Sequence, residues 1–138
     1  MLRSCIGNPS DDSVSFFERP FMASSAINDS KVENGQKIKV LKINELFGIM
    51  HPPYDILKCD VEGSEWELVT HYGDLLKKTK FLILEWHSWH NGGGSKDQII
   101  ESLKHMHFSI VNSSVPSPAT GRKGQVGLIV AENESITN

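Results

Sequence analysis

Few framework residues are present. The chain carries two cysteines, Cys5 and Cys59, in 138 residues. That excludes a disulfide-dense scaffold and a zinc-finger framework. Cys59 sits in an apolar run and reads as a buried thiol. No apolar run approaches the roughly 18 residues a membrane-spanning helix needs, and the stretch from Met1 to Pro9 has no apolar signal core. A soluble, cytoplasmic protein with no membrane partner is expected, so the N-x-S/T triplets at Asn28, Asn112 and Asn133 read as chance. Positive charge is not in excess: 14 Lys and Arg stand against 17 Asp and Glu, a net charge of -3. Such a balance offers no basic surface to a phosphate backbone and argues against nucleic-acid binding. Internal repeats and low-complexity tracts are also lacking. The rest is ordinary, with 38% hydrophobic and 22% charged residues, as in a folded globular domain. The length is that of one domain, residues 1–138.

The first third is rich in loops. Residues 14–17 read as a short strand. Residues 18–36 are polar, with Pro20, Asn28, Asp29, Asn34 and Gly35 as turn formers. So long an irregular stretch in a compact domain is expected to be a mobile loop. Residues 38–43 read as a strand. Asn44 can cap a brief helical turn through Met50, which His51-Pro52-Pro53 stops. Residues 54–60 form a strand candidate ending in a carboxylate. Gly63 makes the turn, and Ser64 with Glu67 looks like a capping box. Trp66, Val69, Tyr72, Leu75 and Leu76 recur at helical spacing. Residues 81–84 are continuously apolar, as in a strand buried on both faces, and Glu85-Trp86-His87 follows. Residues 91–94 read as a flexible loop. Ser95 caps a second helix with Gln98 at the box position and Ile99, Leu103 and Met106 on one face. Residues 108–111 and 126–130 are two more strands, joined by a segment short enough for an antiparallel return. Strand–helix–strand units connect parallel strands, so the pattern from Tyr54 onward predicts a three-layer α/β fold.

Ligands in such sheets bind beyond the carboxyl ends of the strands. Asp60-Val61-Glu62-Gly63 follows one strand and Glu85-Trp86-His87 the next. If the strands are parallel neighbours, Asp60, Glu62, Glu85 and His87 converge within roughly 10 Å of one point. Carboxylates and an imidazole so close shift one another's pKa values, which makes a general base or a cation site. Gly63 lets the backbone turn tightly beside a ligand. Glu65 is sufficiently explained by the dipole of the helix it opens. Trp86 and Trp89 read as core or pocket wall, His90 as exposed loop, and His105 and His107 as residues bracketing a helix end. Gly92-Gly93-Gly94-Ser95-Lys96 does not match G-x-x-x-x-G-K-[ST] and reads as a linker. A divalent ion such as Mg²⁺ or Mn²⁺ on Asp60, Glu62, Glu85 and His87 is a rival use of the same cluster; the primary expectation carries no metal.

The stretch Asp55-Ile56-Leu57-Lys58-Cys59-Asp60-Val61-Glu62-Gly63-Ser64-Glu65 resembles the Lys-x-Asp-x-Glu-Gly-x-Glu signature of FkbM-like S-adenosylmethionine-dependent methyltransferases. Leu84-Glu85-Trp86-His87 resembles the Glu-x-His that ends a later strand in that family, and residues 39–46 resemble its lead-in. The resemblance implies a Rossmann-like class I methyltransferase sheet whose last strand runs antiparallel, and methyl transfer from S-adenosylmethionine, commonly to a hydroxyl of a small molecule or glycan. It implies that Asp60 lies by the cofactor's methionine end or the acceptor. Glu62, Glu85 and His87 would line the acceptor pocket, with His87 or Asp60 taking or orienting the acceptor proton. The family's N-terminal cofactor-binding half has no counterpart here, so an N-terminally truncated sheet is expected, with Ser4-Cys5-Ile6-Gly7 where the adenine-side segment lies and Ser4 and Cys5 as cofactor contacts. The alternative expectation is a degenerate module that binds a partner without catalysis. An exposed sheet edge makes a homodimer plausible in either case.

Overall fold

The computed structural model describes residues 4–17, 26–27, 36–88, 94–119 and 124–136. The chain opens with a three-stranded antiparallel sheet of order β2-β1-β3, built from β1 (Ser13–Phe17), β2 (Ala26–Ile27) and β3 (Gln36–Lys39). Of the loop expected over 18–36, Ala26, Ile27 and Gln36 are strand, and the remainder lies outside the described residues. The strand expected over 38–43 ends earlier, at Lys39, with Val40 bridging in parallel to Cys5. It ends because helix α1 (Ile43–Ile49) begins from Lys42, not Asn44. The Lys42 ammonium donates to the carbonyls of Pro9 (2.6 Å) and Asp11 (2.8 Å), which ties the helix start to the N-terminal loop.

The remaining elements are β4 (Tyr54–Cys59), α2 (Glu65–His71), α3 (Gly73–Leu76), β5 (Thr79–His87), α4 (Lys96–His105), β6 (Phe108–Ser113), β7 (Ser117–Pro118) and β8 (Gln125–Asn133). They form a mixed five-stranded sheet of order β4-β5-β8-β6, with β7 paired to β8. β4 and β5 are parallel, and β8 runs antiparallel to both β5 and β6. The chain is therefore α/β, and its last strand is the reversed one.

The helical periodicity over 66–76 is real, but it is carried by two short helices. Glycine is a poor helix former, and α2 stops just before Gly73. The buried Tyr72 hydroxyl lies 3.0 Å from both the Gly7 and the Leu41 carbonyls, and its single proton serves one of them at a time. This anchors the N-terminal segment to the end of α2. The capping box expected at Ser64 is absent: Ser64 is the N-cap but makes no side-chain cap bond. At Ser95 the box is present, with the hydroxyl accepting from the Gln98 N–H and the Gln98 amide oxygen accepting from the Ser95 N–H.

The core lies between the sheet and α2, α3 and α4. Leu68, Leu76, Leu82, Leu84, Ile99, Leu103, Ile129 and Ala131 are at most 1% exposed. Only one face of the sheet is filled in this way. The alternate positions of the same strands behave differently: Phe81, Ile83 and Val130 are half-buried, while Ile56 is 63% and Leu128 39% exposed. The expected third layer is thus not present among the described residues, and the strand over 81–84 is not buried on both faces. Topology explains the difference. Crossovers of one hand that advance in one direction, from β4 to β5 and on to β6, put their helices on one face. Asn133 is buried, with its amide N–H₂ directed at the Leu76 and Lys77 carbonyls, so its N-x-S/T triplet is structural.

The asymmetry is measurable. Leu84→Ala is expected to cost about 2–5 kcal/mol in urea unfolding, and Ile56→Ala under about 0.5 kcal/mol, as at ordinary surface positions. Equal costs for the two would mean that the far face is covered after all.

Candidate functional site

The parallel pairing of β4 with β5 sets Cys59 opposite Leu84. The next residue on each chain is acidic, so Asp60 emerges beside Glu85. Glu85, Trp86 and His87 lie within β5 rather than after it, because β8 pairs with them as Leu128, Gly127 and Val126. Alternation along the strand sends Trp86 into the core and leaves Glu85 and His87 on the same side.

Three of the four expected residues meet there. His87 Nε2 lies 3.9 Å from Asp60 Oδ1 and 3.7 Å from Glu85 Oε1. One ligand atom from each of the three falls within 4.8 Å of the others. The His87 side chain is 2% exposed, against 38% for Asp60 and 42% for Glu85. An enclosed imidazole is thus faced by two carboxylates open to solvent. Lys58 Nζ stands 3.7 Å from the other Asp60 oxygen. The fourth residue, Glu62, occupies the turn. It has φ 51° and Gly63 has φ 109°, consecutive left-handed residues closed by a bond from the Ser64 N–H to the Val61 carbonyl. A glutamate in that region costs about 1–2 kcal/mol, and its charge acts on His87 from there.

The residue that composition and helix-dipole reasoning set aside is Glu65. It is 1% exposed. Its Oε1 accepts from the Gly63 N–H at 2.9 Å and from His87 Nδ1 at 2.8 Å. A carboxylate only accepts, so Nδ1 carries the proton and Nε2 is turned toward Asp60 and Glu85. The signal in the sequence was the final glutamate of the Asp60–Glu65 signature, not the helix it opens. Burial pushes the His87 pKa down, but the hydrogen bond and charge of Glu65, with the charges of Glu62 and Asp60, outweigh it and leave it raised above 6.5. Burial, reinforced by Glu65 and Asp60, pushes the Cys59 thiol up to about 12, so it is inert as a nucleophile.

Ser4 and Cys5 are not brought to this cluster. Cys5 is hydrogen-bonded to Lys39 and Leu41 and lies by Tyr72, at the far end of α2 from Glu65. Seven residues of helix separate the two ends, about 10 Å. Trp66, next to Glu65 in the chain, lies against Gly94. Gly94 lies so flat on its ring that a Cβ there would come within 2.2 Å of Trp66 Cε3, and the Trp86 indole N–H donates to the Gly94 carbonyl at 3.4 Å. Trp89, His90 and residues 91–93 lie outside the described residues. His105 is at the end of α4, its Nδ1 2.8 Å from the Glu101 carbonyl, as a helix-terminal histidine. Among the described residues no helix is long and apolar enough to cross a membrane.

Chemically, the arrangement presents one oriented imidazole nitrogen and two carboxylates to a common point. The dependence on Glu65 is open to NMR titration of the His87 ring. Glu65→Gln should lower its pKa, and Glu62→Gln should lower it less. A curve unchanged in Glu65→Gln would rule out the pairing. Because the folded value is raised, the pair's contribution to stability is present below about pH 6.5 and is lost as pH rises through the raised value. The parent's stability advantage over Glu65→Gln is therefore expected to shrink as pH rises above about 6.5. Compared with family models, curated proteins and solved structures, the chain matches none.

Proposed function

We propose that the chain is an S-adenosylmethionine-dependent methyltransferase domain of the FkbM-like kind, built on a Rossmann-like class I sheet. It transfers a methyl group to a hydroxyl oxygen of a small molecule or glycan. The observation that carries this reading is the meeting of both signature segments: Asp60 and Glu65 from one, Glu85 and His87 from the other, joined by the 2.8 Å contact of Glu65 with His87. A reversed last strand between β5 and β6 is the sheet order the reading requires.

Methyl transfer is an in-line displacement at a sulfonium carbon. It needs the acceptor oxygen held in line and relieved of its proton. In this reading Asp60 stands by the sulfonium, whose positive charge suits a carboxylate. Glu62 and Glu85 line the acceptor side, His87 orients the hydroxyl through Nε2 and takes its proton there, and Glu65 holds the ring. Ser4 and Cys5 take the adenine side, away from the cluster.

A second reading has one observation in its favour. The exposed Ile56 and Leu128 on the uncovered sheet face suit a methyltransferase-like module that binds a partner, such as a second copy, and no longer catalyses. Calorimetric titration of the full 138-residue chain with S-adenosylmethionine and S-adenosylhomocysteine, in chelator, separates the two. The catalytic reading expects micromolar binding, weakened at least about tenfold, or about 1.4 kcal/mol, by Asp60→Ala. Absence of binding by the folded chain would overturn it in favour of the module.

A further inference from the structure

We propose that Asp60, Glu85 and His87 form a binding site for a divalent transition-metal ion, with Mn²⁺ as its matching probe. The donor set is an imidazole nitrogen and two carboxylates, a mixture of the ligand that suits transition metals and the ligand that suits hard cations. Bonds of about 2.0–2.2 Å allow two ligands of one ion to stand up to about 4.4 Å apart. The separations of 3.7 Å and 3.9 Å from His87 Nε2 fall inside that limit. The outer bound of 4.8 Å for the whole set closes by rotation of the two carboxylates, which are the exposed members.

An independent feature lies behind the cluster. Buried Glu65 accepts from Nδ1 of the buried His87 ring, and that fixes the ring with Nε2 toward the carboxylates. A carboxylate on the far nitrogen of a ligating histidine sets its tautomer and raises its basicity. For a histidine serving only as core, such a buried charge is a burden without return. Lys58 is the competing cation on Asp60, but its side chain is 65% exposed and free to withdraw. The site uses residues of the proposed acceptor pocket, but ion binding itself needs no cofactor.

The test is Mn²⁺ titration of the chelator-treated full chain, followed by calorimetry and by water-proton relaxation. The expected result is one ion per chain with affinity in the micromolar range. Asp60→Asn and Glu85→Gln, both at partly exposed positions where folding is not at stake, should each weaken it at least about tenfold, and Glu65→Gln about 10–100-fold. No uptake by the folded parent at millimolar Mn²⁺ would overturn the proposal, as would parent-like affinity in both Asp60→Asn and Glu85→Gln. The cofactor titration is run in chelator, so failure of one reading leaves the other standing.

Discussion

The arrangement at the carboxyl edge of the sheet depends on one hydrogen-bonded pair, Glu65 with His87. A carboxylate at 1% exposure is not left in a protein interior without strong partners. Glu65 has two, the Gly63 N–H and the His87 ring. Each satisfies a different need. The Gly63 bond holds the left-handed turn that lets the chain leave β4 and start α2 within a few residues. The His87 bond locks the end of β5 to the start of that helix. Three segments, 60–63, 65–71 and 79–87, are registered to one another by a single buried oxygen.

The reversed strand matters for the same site. β8 enters the sheet beside His87 and leaves it near Leu76 and Lys77, where Asn133 is hydrogen-bonded. Its exit lies at the opposite edge from Asp60. The reversed strand starts at the carboxyl edge, where Val126 pairs with His87, and its Gly127 lies against Trp86 and Lys96.

Elements with strong local signals were legible in the sequence. α4 declared itself through Ser95, Gln98 and the Ile99–Leu103–Met106 stripe, and the β4–Asp60 boundary through its terminal acid. Where tertiary contacts decided, local reading fell short. Ser64 looked like a capping box, yet the adjacent Glu65 was drawn inward by His87, a partner 22 positions away. The helix over 66–76 is interrupted at Tyr72, just before Gly73, and the Tyr72 hydroxyl there reaches carbonyls 65 and 31 positions back. The third layer was inferred from the strand–helix–strand pattern, but handedness of the crossovers confines both helical connections to one face. The convergence of Asp60, Glu85 and His87 was legible because parallel register follows from the strand–helix–strand pattern. The inward turn of Glu65 was not, since a first-turn acid on a solvated helix has the same sequence.

Electrostatics joins the two proposed uses of the site. Four carboxylates, Asp60, Glu62, Glu65 and Glu85, surround one imidazole, and the lysine paired with Asp60 is largely in solvent. The surplus is negative and partly desolvated, so it attracts positive charge more strongly than the same groups would in water. Size then sorts the guests. Donor atoms 3.7–3.9 Å apart can close on a bare ion but leave no space between them for a sulfonium and its three carbon substituents. A sulfonium can only lie outside the triad, against the open side of Asp60. Under the two proposals, an ion and a sulfonium would therefore occupy neighbouring points rather than one shared point.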